Sequence, residues 1–462
     1  VAARSSVSSS AARKLSAPRP GRTRELASKR KNPAGRAPAR GARSARSDAG
    51  KATPVTRDKG RTAPTARKSQ RAPAKLNGTR AQRSGTCTGT SCAKSGSRRK
   101  ASLANPILLP TIVLLLGGLV MVLSASFVAS SEMGAGGYRT FWEQAFWAFS
   151  GLLLLYVCSR LDYHFLARIS LFGVFLSMGL LALLLFFGKE VNGARRCFDV
   201  GFSPFSPTEF VRIALIVFSA HVIATKSKKM KGLRHLVVPI VVLVVLAAGL
   251  MLAQPDLGSA LVLCFSVMLL LILAPTNSSH LFALGSAGGA LAVLFAYIAP
   301  YRRARLFSFM HPWKSSEGYG YHVIQSSIAL GSGNLKGLGP GMSRQKFLYL
   351  PNAHNDFIFA IIGEEFGIAG TLTVLCLMVL FAWAGLRIAI NAPDELGRLL
   401  AIGITGSIVI QALVNMGGVV GLLPITGVPL PLVSSGGMSI FVCLGSIGIL
   451  LNIAALSKPR GR

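Results

Sequence analysis

Between residues 105 and 456 the sequence returns ten times to an apolar run long enough to cross a bilayer, and few folds are open to a chain built that way. The runs lie at roughly 105–127, 141–158, 165–187, 206–224, 235–253, 257–274, 279–299, 356–388, 397–420 and 431–456. A spanning helix needs about 20 apolar residues. Several runs are interrupted by Gly or Pro, which membrane helices tolerate. The expected fold is an all-α polytopic membrane protein of about ten transmembrane helices.

The first hundred residues are of another kind. The net charge is +35, and 27 of the 51 Lys and Arg fall in residues 1–103, against only Glu25, Asp48 and Asp58. A segment of Ala, Arg, Ser, Pro, Gly and Lys cannot bury enough apolar surface to offset the entropy of ordering. Residues 1–103 are therefore expected to be a disordered basic tail, 104–457 the membrane domain and 458–462 a short basic end. No apolar h-region opens the chain, so the segment from about Pro106 is expected to act as the targeting signal. Cys158, Cys264, Cys376 and Cys443 read as small buried hydrophobes and Cys197 lies in a polar loop. The pair Cys87 and Cys92 lacks the second pair that a zinc site needs.

Basic residues of short loops stay cytoplasmic. The tail, the stretch 225–235, the segment 387–398 and the C-terminal end fall on one side of a ten-span chain, with both termini cytoplasmic. The connections at 188–204, 254–256, 300–355 and 421–430 are then extracytoplasmic. Two of these are basic against the usual bias. Long loops translocate largely regardless of charge; alternatively, the charge is there to hold an anionic headgroup.

The long connection 300–355, between the seventh and eighth spans, concentrates the polar chemistry. Residues 301–355 carry Arg302, Arg303, Arg305, Lys314, Lys336, Arg344 and Lys346 against one acid, Glu317, and then His354 and Asp356 stand at the start of the eighth span. Asp356 can cap that helix, where the helix N-terminus favours a carboxylate, or serve as a general base. Glu364 and Glu365 lie two turns deeper, where an unpaired carboxylate is costly, so at least one requires a cation or hydrogen-bond donor from elsewhere. Phe359, Ala360, Gly363 and Gly367 share a helical face that admits a close neighbour.

Four other places carry candidates. Arg195 and Arg196 can both turn toward one phosphate group if their backbone is a loop, and guanidinium suits phosphate because its planar donors reach two oxygens; an interfacial pair facing lipid phosphates is the alternative. Ser206-Pro207-Thr208-Glu209 reads as a capping box, and Arg212 lies on the same face as Glu209 for an intramembrane pair. Asp256 caps the sixth span or faces the cationic loops. The Pro- and Gly-rich segment 421–438 ends in Ser434 and Ser435, and irregular backbone of this kind survives at membrane depth only under cover of protein or beside a water-filled cavity.

At these positions the sequence closely resembles the SEDS family (shape, elongation, division and sporulation), in particular its division branch. The resemblance rests on NGARR at 192–196, FSPTEF at 205–210, QPDLGSA at 254–260, the stretch from Ala329 to Glu365 that includes SRQKFLYLPNAHND, and LPITGVPLPLVSSGG at 423–437. It spans most of 105–455 and omits the tail. It implies a ten-span peptidoglycan glycosyltransferase that polymerises lipid II at the outer face of the bacterial cytoplasmic membrane, at the division site, with a class B penicillin-binding protein and other division proteins as partners. Asp356 matches the family's catalytic carboxylate, Arg195 and Arg196 its outer basic pair, and Glu209 with Arg212 its intramembrane pair. Departures are Cys197 where Trp is common, Asn355 for Thr, Asn352 for Glu and Thr426 for a Lys of some division members.

The resemblance implies an inverting transfer with undecaprenyl pyrophosphate leaving. Arg195, Arg196 and one of Arg302, Arg303 or Arg305 would stabilise its charge; Lys346 and His354 are further substrate-binding candidates. Asp256, Glu364, Glu365, Ser434 and Ser435 are supporting ones. The sequence shows no closed metal-ligand set, so no cofactor is assigned, and a divalent cation remains an open auxiliary. A lipid II flippase, a non-catalytic division scaffold and an elongation-type polymerase are the alternatives. For the tail, anionic lipid or a cytoplasmic division protein fits better than nucleic acid, since the tail has no interleaved aromatics for base stacking.

Overall fold

A computed structural model describes residues 90–457, apart from 133–137, 192–193, 200–203, 227–232, 275–277, 299, 316–317, 348 and 352. The chain divides into two units, residues 1–83 and 84–462, and every described residue belongs to the second. Most of the expected tail, Cys87 and the short basic end lie outside the described residues. The stretch from Thr90 is helical backbone, so the first helix starts upstream of the boundary expected at residue 104.

Ten helices correspond to the ten apolar runs. They are α1 (Thr90–Glu132), α2 (Arg139–Arg160), α4 (Ser170–Phe187), α5 (Thr208–Lys226), α6 (Leu233–Ala253), α7 (Leu257–Leu273), α8 (Ser278–Ile298), α11 (Ile358–Ile390), α12 (Glu395–Val419) and α13 (Gly437–Leu456). Eight contain a segment long and apolar enough to span a membrane, and Val237–Ala253 and Leu257–Leu273 supply two shorter apolar helices. Large side chains such as Phe172, Phe186, Phe187 and Phe282 are exposed around the bundle. A surface of this kind is suited to lipid, not water. Cys264 and Cys376, expected to be buried, are exposed as well, while Cys197 and Cys443 are buried.

Three stretches depart from the sequence reading: two connections carry regular structure, and the run expected at 165–187 is divided at Ile169. The connection after α4 is an antiparallel ribbon of β1 (Lys189–Val191), β2 (Ala194–Asp199) and β3 (Pro204–Phe205), with Glu190 opposite Arg195. A six-residue helix α3 (Tyr163–Arg168) precedes α4. The long polar connection folds into α9 (Pro300–Met310), a 3-10 turn at Pro312–Ser315 and α10 (Tyr319–Ser332).

Lipid removes the hydrophobic drive between helices, so close packing and polar contacts must hold the bundle. On α13 a Cβ at Gly448 would come within 2.5 Å of the Leu155 carbonyl oxygen, and one at Gly437 within 2.1 Å of Trp147, so α2 lies directly against these glycines. At the end of the bundle opposite Asp356, the hydroxyl of Tyr163 donates to Asp394 Oδ1 at 2.5 Å, and His164 bridges Asp162 (2.8 Å) and Asp394 (3.1 Å). Asp394 also caps α12 by accepting from Gly397 N. This joins α3 to the start of α12.

The eighth span is broken where its sequence allows. Gly367 has φ +64° inside α11, a left-handed conformation that a side chain disfavours. The break exposes carbonyl groups, and the segment after α10 satisfies them. Leu338 N donates to Glu364 O and Gly339 N to Glu365 O, both at 3.0 Å, while Ile368 N donates back to Asn334 O at 3.0 Å. Gly337, at φ +80°, lies so close that a Cβ would meet Glu365 O at 2.1 Å. The face of Gly363 and Gly367 read from the sequence thus receives α10 and its following turn; a Cβ at Gly333 would come within 1.9 Å of Gly363 O.

Candidate active site

Asp356 does not cap α11. The N-cap position is Phe357, with no side-chain cap bond, so the carboxylate stands one residue outside the helix. Its backbone is fixed from α12. Asn415 Nδ2 donates to Asp356 O and to Val428 O, each at 2.8 Å, and Gln411, one turn earlier, donates from Nε2 to Pro429 O at 3.0 Å. These amides satisfy irregular backbone that could not otherwise be buried at this depth. Gly427 closes the arrangement: at φ +76° it brings bare backbone beside the carboxylate, and a Cβ there would sit 3.6 Å from Asp356 Oδ2.

The carboxylate lines a cavity of about 80 Å³ together with Arg305, Phe309, His322, Val323, Phe357, Ile425 and Gly427. A cation and a carboxylate far apart in sequence therefore meet at one end of the bundle, from α9 and from the residue before Phe357. A larger groove, about 520 Å³, opens between α2, α4, α5 and α13 along Leu154, Leu176, Phe210 and Val442. No charged side chain is among its described lining, so it suits hydrocarbon and not proton transfer.

The other sequence candidates separate into three groups. Arg302 donates from Nη2 to Leu252 O at 2.9 Å, which ties α9 to the end of α6, and Arg303 is exposed. Neither is among the residues lining the Asp356 cavity. Arg195 and Arg196 stand on β2, so their backbone is strand and not the irregular loop that the phosphate reading assumed; their side chains lie outside the described residues. His354 is held through its backbone oxygen, which accepts from Ser435 N at 3.0 Å, and burial pushes its imidazole below the usual range.

Several candidates are used inside the protein. Lys346, expected to face substrate, is only 7% exposed. Its ammonium donates to Glu365 Oε1 (3.3 Å), Ser124 Oγ (3.2 Å) and Gly341 O. Three donors meet three acceptors, which leaves none for a ligand. Glu365 also accepts from Ser124 Oγ at 2.9 Å, and Glu364 accepts from Ser343 Oγ, Arg344 N (3.0 Å) and Gln345 N (3.3 Å). The two deep acids thus clamp the segment 341–346 to α11 and α1. Ser434 Oγ accepts from Leu430 N at 2.8 Å and its carbonyl from Gln144 Nε2 at 2.9 Å, so it braces its own turn.

Asp256 is the N-cap of α7, accepting from Ser259 N at 3.2 Å. Gly258 then packs on the 426–428 segment, where a Cβ would meet Val428 Cγ2 at 2.5 Å. Glu209 and Arg212 form a buried ion pair within α5. Glu209 serves that pair, and Ser206 Oγ lies 2.8 Å from Thr208 Oγ1. The sequence reading missed His322 and Asn415. Two amides one turn apart inside an apolar run, Gln411 and Asn415, were a usable signal for Asn415, since polar groups at membrane depth are costly unless employed. His322 lay in a segment without periodic pattern and gave none. Among the described residues no group of three or more His, Cys, Asp or Glu could hold a metal ion.

Comparison with known proteins gives consistent findings. The family described as "Cell cycle protein" (FtsW/RodA/SpoVE) matches residues 106–459. Stage V sporulation protein E of Bacillus subtilis is 37% identical over 350 residues, covering 75% of this chain and 96% of that protein. A protein of Trichlorobacter lovleyi named as a probable peptidoglycan glycosyltransferase FtsW is 36% identical over 351 residues, covering 76% and 92%. Among solved structures, a chain described under "Structural coordination of polymerization and crosslinking by a peptidoglycan synthase complex" superposes with a TM-score of 0.62 at 26% identity, covering 75% of this chain and 96% of that one. The rod shape determining protein RodA of Thermus thermophilus gives 0.57 at 26% identity, covering 75% and 95%.

Proposed function

The chain belongs to the FtsW/RodA/SpoVE family of polytopic membrane proteins, and on that premise we propose that it polymerises lipid II into glycan strands during cell division, with Asp356 as general base. The observation that carries the reading is the placement of Asp356. It stands outside the helix cap, its backbone is clamped by Asn415, and it shares a small cavity with Arg305.

In the proposed step the C4 hydroxyl oxygen of the acceptor sugar attacks the anomeric carbon of the donor. The hydroxyl proton passes to Asp356, and the bond to undecaprenyl pyrophosphate breaks with the electron pair leaving on that group. Configuration inverts in a single displacement. A carboxylate is a weak base for an alcohol, so proton transfer accompanies attack, and such catalysis contributes about 10²–10⁴-fold. Alignment of two lipid-anchored reactants supplies more of the rate, and cations stabilise the departing charge. Arg305, which lines the cavity with Asp356, is the first cation assigned to that charge, with Arg195 and Arg196 on the ribbon as further contributors. Lys346 is given a structural role instead.

This assignment puts the Asp356 end of the bundle at the outer face of the bacterial cytoplasmic membrane and both termini in the cytoplasm. A class B penicillin-binding protein is the proposed partner that cross-links the product. The basic tail is proposed to meet anionic lipid or a cytoplasmic division protein. The test is to supply purified chain with lipid II, with and without the transpeptidase, and to follow both strands and released undecaprenyl pyrophosphate. One pyrophosphate per bond formed is expected; lipid movement across vesicles without polymer would favour a flippase.

A further inference from the structure

The geometry points to His322 as a substrate-positioning residue that hydrogen-bonds the acceptor sugar in the cavity beside Asp356, an inference that rests on the glycosyl-transfer reading above. The imidazole enters from α10, a helix formed within the long polar connection. Its ring lies parallel to that of Phe357, with centroids 5.8 Å and planes 5° apart. Phe357 directly follows Asp356, so the stack holds the imidazole against the backbone that carries the carboxylate. One turn along α10, Ser326 Oγ lies 3.0 Å from Val323 O and 3.1 Å from Val419 O, which fixes the helix against the end of α12.

The chemistry of the cavity explains why a third polar group belongs there. Its described polar side chains are Arg305, Asp356 and His322. Guanidinium only donates and carboxylate only accepts, whereas a neutral imidazole does one of each. His322 Nδ1 is enclosed with no hydrogen-bond partner among the described residues. An enclosed N–H without a partner is rarer than an enclosed bare acceptor, which assigns the ring proton to Nε2. Nε2–H then donates to an oxygen next to the reacting hydroxyl of the acceptor, while that hydroxyl faces Asp356. Burial, with the charge of Arg305 added, holds the imidazole below its ordinary range, so it is neutral near pH 7. Arg305 and Asp356 are the charged groups of the cavity, and Tyr321 lies beside the ring on its own helix. A protonated ring there would pair with Asp356 and draw off the base.

The experiment compares full-length wild type, His322→Phe and His322→Gln in lipid II polymerisation across pH. Phe retains the ring stack and loses the hydrogen bond; Gln retains a neutral donor. The expected result is a KM for lipid II raised about five- to tenfold in His322→Phe, the scale of one lost hydrogen bond, with most of the loss recovered in His322→Gln. Wild type should lose activity as the imidazole is protonated below its ordinary range, and His322→Gln should shift that limb to lower pH. Binding of labelled lipid II to Asp356→Asn, with and without His322→Phe, gives a readout that needs no turnover, and the double variant should bind more weakly. An active wild type with unchanged KM, pH profile and binding in His322→Phe would overturn this inference alone. The absence of both polymerisation and lipid II binding in wild type would overturn the glycosyl-transfer reading, and this inference with it.

Discussion

Replacing Lys346 by Met removes the cation from a site that water hardly reaches. Lys346 is 7% exposed and Glu365 1%. The substitution deletes the donor to Glu365 Oε1, to Ser124 Oγ and to Gly341 O, and leaves the Glu365 carboxylate with Ser124. Breaking a buried pair by removing one partner costs about 3–5 kcal/mol, because the remaining charge is uncompensated, whereas replacing both partners by uncharged groups is often near neutral. Lys346→Met and Glu365→Gln should each be strongly destabilised, and the double variant should cost less than the sum by at least ~2 kcal/mol. Thermal unfolding of the four proteins in one detergent closes the cycle. The double variant should also polymerise lipid II with nearly wild-type KM. Additive losses, or a KM that rises sharply while stability is recovered, would refute the structural role and return Lys346 to the substrate.

Gly367→Ala and Gly337→Ala each place a Cβ at positive φ and against backbone, 2.6 Å from Gly337 N in one case and 2.1 Å from Glu365 O in the other. Both should destabilise by about 1–3 kcal/mol, seen as lowered melting and faster amide exchange at Leu338 and Gly339. Asn415→Ala removes two hydrogen bonds, to Asp356 O and Val428 O, and should lower kcat by about tenfold or more through misplacement of the carboxylate, measured as polymerisation rate at saturating lipid II. At the opposite end, burial opposes protonation of His164, but the hydrogen bonds and charges of Asp162 and Asp394 outweigh it and hold its pKa above the ordinary value. The folded state therefore binds this proton more tightly, so the contribution is full below about pH 6.5 and is lost as pH rises through the folded pKa. Protection of amides at the start of α12, taken relative to their intrinsic exchange at each pH, should fall over that range in wild type and lose this dependence in His164→Phe.

The bundle was legible because each spanning helix must be apolar over its whole length, and that requirement is written residue by residue. The expected ends of α8, 279 and 299, differ from the observed Ser278 and Ile298 by one residue. The polar connections were less legible, because their helices and ribbon are fixed by distant partners. Gly333 and Gly337 show small residues but not that they receive the backbone of Gly363 and Glu365. Likewise the cost of burying Glu364 and Glu365 required partners, yet only the fold shows that Ser343, the 344–345 amides and Lys346 supply them. At Asp356 the sequence left cap and base open, and the helix start at Phe357 removes the capping role.

The central claim is that Asp356 performs the proton transfer, and the most direct measurement is single-turnover polymerisation of purified lipid II by wild type and Asp356→Asn, each with its transpeptidase partner. The amide keeps the size of the side chain and the Asn415 bond to the backbone, and removes the base. The account predicts a rate at least ~10²-fold lower with lipid II binding largely retained. Equal strand formation by the two proteins would contradict it.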